Sequence, residues 1–95
     1  MPDFWVYILY CINNRFYTGY TVELNRRYYT HVQGKGAKYT RSFRPLFLAQ
    51  VWPIFGKKYQ AMQVERFIKK LNKQEKERLI HSPLSLEILF GEHNL

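Results

Sequence analysis

The sequence predicts an α/β (α+β) fold: a small, three-stranded, mainly antiparallel sheet flanked by helices in the order β-β-α-β-α-α. Three observations carry that prediction. Residues 6 to 21, VYILYCINNRFYTGYT, read as two strands rich in aromatic and β-branched side chains around a tight turn. Residues 46 to 52, LFLAQVW, form a nearly continuous apolar run of strand length. Residues 57 to 71, KKYQAMQVERFIKKL, place Ala61, Val64, Ile68 and Leu71 at helical spacing.

The first strand is expected over Phe4 to Ile12 and the second over Arg15 to Tyr20. Thr21 is placed to cap a helix over Val22 to Val32, with Glu23 favouring its N-terminal dipole. Leu24, Tyr28 and Val32 form that helix's apolar stripe. QGKGAKYTRSFRP, residues 33 to 45, reads as a loop. LFLAQVW then reads as the central strand, because it is apolar nearly throughout, and Pro53 and Gly56 end it. Asn72 is placed to cap a helix over KQEKERLI, which stops before Ser82-Pro83. In the tail, Leu86, Leu89 and Phe90 are expected to pack on the body, with fraying from Gly91 onwards.

The chain has 95 residues, enough for one domain over residues 1–95, with a core over about 4–82 and a tail over 83–95. A single cysteine, Cys11, rules out an intramolecular disulfide and a Cys-rich metal centre. In an apolar run it reads as a small buried hydrophobe, which fits a reducing compartment. The apolar run from Phe4 to Ile12 is too short to span a bilayer and lacks a basic segment before it, so the expectation is a soluble, cytoplasmic protein.

Fifteen basic against seven acidic residues give a formal charge of +8. That excess draws polyanions, and nucleic acid leads because each neutralised phosphate releases counterions. An anionic membrane would also attract it, but the cations are spread through turns and helices instead of lining one amphipathic helix.

Four tyrosines, Tyr7, Tyr10, Tyr17 and Tyr20, lie in the hairpin. Which of them share a face depends on the turn. A two-residue loop, Asn13-Asn14, sets Tyr7 opposite Tyr20 and sends Tyr17 to the other side. A three-residue loop, Asn13-Asn14-Arg15, or a bulge, puts Tyr7 and Tyr17 on one face. Asn14 tolerates the left-handed backbone that such a loop needs.

Trp5-Val6-Tyr7, nine residues, then Tyr17-Thr18-Gly19 resembles the signature of the GIY-YIG nuclease superfamily. Arg27 stands where that family has a helix-borne arginine, and His31 follows one turn later. Glu65, in AMQVERFIKKL, matches its metal-binding glutamate. The GKGAKYTR segment, Gly34 to Arg41, is similar to the small single-domain bacterial subgroup labelled UPF0213 or YhbQ-like. Trp5 and Thr18 depart from the motif at positions that carry no reacting group.

The resemblance implies a metal-dependent endonuclease hydrolysing DNA phosphodiester bonds, with branched, nicked or flapped forms as candidate substrates. In that family the larger members add a separate DNA-binding domain, and none is expected within these 95 residues. A single carboxylate, Glu65, suits Mg²⁺ or Mn²⁺ that keeps most of its water. Arg27 would stabilise the transition-state phosphate. Tyr7 is favoured as base with Tyr17 orienting water or phosphate, although the two roles are exchangeable. A phenol is a poor base at neutral pH unless nearby cations lower its pKa, and Arg27 and the metal are the cations at hand.

His31 would take a proton or bond the phosphate. Lys35, Lys38 and Arg41 read as a phosphate clamp, and Arg26 as a contact to the nucleic-acid backbone. Lys57, Lys58, Lys69, Lys70, Lys73 and Lys76 read as a solvated basic surface. Two other functions are compatible with the same residues: a nucleic-acid-binding module with little turnover, and a subunit that a protein partner targets.

Overall fold

The computed structural model describes residues 1–93. Strand β1 (Phe4–Cys11) and strand β2 (Arg15–Thr21) form an antiparallel hairpin. Helices α1 (Leu24–Val32) and α2 (Lys38–Ser42) follow, then strand β3 (Pro45–Ile54). Helices α3 (Lys58–Lys70), α4 (Lys73–His81) and α5 (Ser85–His93) complete the chain. The α+β class, the three strands and their antiparallel pairing agree with the sequence reading. The expected order is kept, with α2 and α5 added to it.

The strand order is β2-β1-β3, so β1 is central and β3 is an edge. This corrects the expectation that LFLAQVW lies in the middle. Val6, Ile8 and Leu9 in β1 are fully buried, whereas Leu46 and Phe47 in β3 are about half exposed. Pro45 and Pro53 both lie within β3, and proline, which cannot donate to a ladder, is tolerated at an edge. Pro53 therefore pairs with Trp5 and does not end the strand.

The hairpin turn is a short 3-10 stretch, Ile12–Asn14, with Asn13 and Asn14 at φ 60° and 58°. Cys11 faces Arg15, Leu9 faces Tyr17 and Tyr7 faces Gly19. Three residues close the turn, one position earlier than the three-residue reading expected. The parity of the pairing is unchanged, so Tyr7 and Tyr17 do share a face.

Each face of the sheet has its own core. On one, Val6, Ile8 and Trp52 pack with Ala61, Ile68, Leu79 and Leu86 from α3, α4 and α5. Each fully buried aliphatic side chain contributes about 1.5–3 kcal/mol. The Trp52 indole donates to Pro83 O at 2.8 Å and the Gln50 amide to Ile80 O at 3.0 Å, tying β3 to the last helices. Asn72 caps α4 as expected: its side chain accepts from Glu75 N at 2.8 Å, and Glu75 returns a bond to Asn72 N. Leu86 and Leu89 pack on this core, and the Phe90 ring meets Phe67 edge-on at 5.5 Å. The expected fraying from Gly91 is not seen as far as His93, where α5 ends; residues 94 and 95 lie outside the described residues.

On the other face Tyr7, Leu9 and Cys11 pack with Leu24 and Tyr28 of α1 and Phe43 after α2. Burial pushes the Cys11 thiol up to about 11, as a small inert hydrophobe requires. Helix α1 starts at Leu24, two residues later than expected, and Thr21 Oγ1 accepts from Glu23 N in the turn before it. Its buried stripe ends on His31, which is fully buried, and not on Val32, which is exposed. The segment read as a loop contains α2, whose Thr40 is also buried.

Candidate active site

Tyr7 points from the central strand across its partner Gly19. A Cβ at Gly19 would lie 2.5 Å from the Tyr7 hydroxyl and 3.1 Å from the Tyr17 ring. The glycine of the second triplet is therefore what lets both phenols lie over β2. The two rings sit 6.4 Å apart, and the Tyr17 ring is 5.0 Å from the His31 ring.

The Tyr7 hydroxyl is 2.9 Å from His31 Nε2. His31 Nδ1 is 2.8 Å from Thr40 Oγ1, and Thr40 donates its hydroxyl hydrogen to Ala37 O at 2.9 Å. A buried chain of four groups thus leads from the tyrosine into α2. The Tyr7 hydroxyl also lies within the field and hydrogen-bonding reach of Arg27.

Tyr7, Tyr17, Arg27 and Glu65 line one open cleft of about 550 Å³. They come from β1, β2, α1 and α3. The remaining lining matters too: Gly19, Lys58, and an apolar wall of Phe4, Tyr20 and Val22. Glu65 keeps 17% of its side chain exposed and pairs with Lys69 at 3.5 Å. Among the described residues no group of three or more His, Cys, Asp and Glu side chains gathers. One hard carboxylate on an open cleft fits a cation that fills the rest of its shell with water and substrate oxygens. It does not fit a caged transition metal.

Burial raises Tyr7 to about 12, and the nearby Tyr17 adds to this. Arg27 opposes the rise through its hydrogen bond and its charge, while Glu65 reinforces it. Arg27 thus acts on Tyr7 in the expected direction, but desolvation outweighs it. Burial, then the charge of Arg27, lowers His31 to about 4. At neutral pH both partners are uncharged.

His31 faces Tyr7 and has no exposure toward the cleft, so of its two expected uses the geometry is compatible only with taking a proton. Arg26 is exposed, 3.8 Å from Glu23, and lines a smaller neighbouring hollow with Thr21, Val22 and Arg27, three residues that also border the cleft. Lys35, Lys38 and Arg41 are exposed along the segment from the end of α1 through α2 and do not line the cleft.

Lys58, which the sequence reading left among the solvated lysines, does line it. The signal was present: Lys58 precedes Glu65 by two helical turns on α3, and so shares its face. Gly36 and Thr40 were missed as site residues because they read as loop. A Cβ at Gly36 would collide with the His31 ring, approaching Cε1 to 2.9 Å.

Residues 3–78 match the family model described as the GIY-YIG catalytic domain. The chain belongs to the GIY-YIG family. Within it, the UPF0213 protein of Halalkalibacterium halodurans is 45% identical over 76 residues, covering 80% of each chain. The UPF0213 protein of Natronomonas pharaonis is 45% identical over 78 residues, covering 82% of this chain and 91% of that one. The solution NMR structure of a UPF0213 protein from Bacillus halodurans superposes with a TM-score of 0.52 at 40% identity, covering 88% of this chain and 92% of that one.

GIY-YIG membership makes this a nuclease-type hydrolase domain, a class that binds nucleic acid and generally depends on a divalent metal. Among the described residues no helix is long and apolar enough to cross a membrane.

Proposed function

We propose that this GIY-YIG domain is an endonuclease that hydrolyses DNA phosphodiester bonds with Mg²⁺ or Mn²⁺, selecting branched, nicked or flapped forms by shape. The observation that carries the reading is the convergence of Tyr7, Tyr17, Arg27 and Glu65 on one open cleft. Exposed Arg26, in the hollow that shares Arg27 with the cleft, and exposed Lys35, Lys38 and Arg41 outside it offer phosphate contacts, and such contacts position a duplex without reading its bases.

Arg27 and Lys58 bind the scissile phosphate, and the planar guanidinium stabilises its added transition-state charge. Tyr17 orients the attacking water. Tyr7 oxygen receives that water's proton while its own proton passes to His31 Nε2, so no free phenolate has to form. This matters because a phenol with a pKa of about 12 is hardly ionised at neutral pH. Phosphate on Arg27 also offsets the charge that helps hold His31 neutral. Glu65 would hold a divalent cation, which when bound would supply Lewis-acid polarisation of the phosphate and a more acidic water.

The test uses labelled nicked, flapped and four-way-junction DNA with Mg²⁺, Mn²⁺ or chelator, beside Glu65→Gln and Tyr17→Phe. Metal-dependent cleavage by the wild type, absent in both variants while DNA binding persists, is expected. Equal cleavage by wild type and variants would contradict the site. Binding without cleavage on every substrate would point to a binding module or a partner-targeted subunit.

A further inference from the structure

The basic segment between α1 and β3 has an inner side that a phosphate clamp does not explain. Lys35, Lys38 and Arg41 face solvent, but Thr40 is 1% exposed and Gly36 lies against the His31 ring. Backbone bonds anchor the segment at both ends, from Lys35 N to Thr30 O of α1 at 3.0 Å and from Ile12 N of the hairpin turn to Arg44 O at 2.9 Å.

The Thr40 hydroxyl has one hydrogen and two acceptors within reach, Ala37 O at 2.9 Å and His31 Nδ1 at 2.8 Å. Ala37 O can only accept, and it takes the Thr40 hydroxyl hydrogen beside the backbone N–H groups of Thr40 and Arg41 at 3.1 and 3.3 Å. With that orientation Thr40 Oγ1 presents a lone pair to His31, and Nδ1 carries the ring proton. In a neutral imidazole that leaves Nε2 bare. The Tyr7 hydroxyl at 2.9 Å is therefore the donor and Nε2 the acceptor. With the other tautomer, Nε2–H would point at Tyr7 and its proton could not leave by this route.

We propose that Thr40 is a positioning residue that holds His31 as the Nδ1-protonated tautomer, keeping Nε2 free to accept the Tyr7 proton. Its functional consequence rests on the nuclease reading above, in which that transfer activates the water. Gly36 serves the same end by letting the backbone close on the ring. The GKGAKYTR segment thus has two sides, with cations outward for phosphate and a glycine and a hydroxyl inward for the histidine.

The test is ¹⁵N NMR of the intact protein labelled at histidine, near pH 7 and without DNA or metal. The His31 signals are assigned by their loss in His31→Gln. The wild type should show Nδ1 protonated and Nε2 bare. Thr40→Val leaves Nδ1–H without an acceptor, so the population should shift to Nε2–H donating to the Tyr7 oxygen. Thr40→Ser should restore the wild-type tautomer, and Thr40→Ala replaces the valine variant if that one does not fold.

In cleavage assays kcat should fall about 10²-fold in Thr40→Val, with KM little changed, and recover in Thr40→Ser. A wild type protonated at Nε2, or an unshifted tautomer in Thr40→Val and Thr40→Ala, would overturn the proposal. A tautomer shift in a protein whose wild type cuts no DNA would support the positioning role and remove the nuclease reading.

Discussion

The two faces of the sheet are built to different rules, although one strand supplies both. Val6 and Ile8 of β1 point into a core of aliphatic and aromatic side chains closed by α3, α4 and α5. Tyr7, Leu9 and Cys11 point the other way, into a smaller cluster that also encloses His31 and Thr40. The first face can absorb most of the stability because its core is packed almost wholly from apolar side chains, with the Trp52 indole bonded to Pro83 O. The second buries a histidine and a threonine hydroxyl only because each has a partner. Alternation along a single strand thus separates stability from chemistry by one residue.

The comparison is broken most directly by opening the dry face. Ile68→Ala is expected to cost about 2–5 kcal/mol in urea unfolding, because a fully buried side chain leaves a cavity among rigid neighbours. A loss well under 1 kcal/mol would mean that this face is not the main source of stability.

The polar face should answer to acid. His31 stays neutral down to about pH 4 in the fold, against an ordinary value of 6.5. Between those values the unfolded chain takes up a proton that the folded chain refuses. The stability contributed by neutral His31 is therefore present above pH 6.5 and is lost as pH falls toward 4, by about 3 kcal/mol in all. Urea unfolding at pH 7 and pH 4.5 should show the wild type losing about 2–3 kcal/mol more than His31→Gln. Equal losses would contradict a neutral buried histidine.

The smallest effect sharpens the contrast at Thr18, a polar residue on the dry face. Its Oγ1 is buried without a hydrogen-bond partner among the described residues. Thr18→Val should raise stability by about 1 kcal/mol and leave cleavage unchanged.

Much of this division was legible in the sequence. Alternation allowed Tyr7 and Tyr17 to share a face if the turn had three residues or a bulge, and the register settles it; helical spacing marked Ala61 and Ile68, and Asn72 read as a cap. The motif picked out Arg27 and Glu65, which the fold brings to the same cleft. What could not be read came from reasoning with apolarity alone. Helix α1 buries His31 in place of Val32, because two hydrogen bonds satisfy the ring and no local signal announces them. LFLAQVW looked central by its apolar content, while Pro45 and Pro53 carried the truer message of an edge. Gly36 and Thr40 read as loop because their partner lies on another element.

Tyr7 and Ile8 are neighbours in sequence and opposites in the fold, so the measurement to make is DNA cleavage and thermal unfolding of Tyr7→Phe beside Ile8→Val. Tyr7→Phe should lose about 10²-fold or more in metal-dependent cleavage while remaining folded, at a cost of about 1–3 kcal/mol for leaving His31 Nε2 without its donor. Ile8→Val should lose about 0.5–1.5 kcal/mol of stability and still cut DNA normally well below its Tm. Cleavage that survives Tyr7→Phe, or fails in folded Ile8→Val, would contradict the division of stability and chemistry between the two faces.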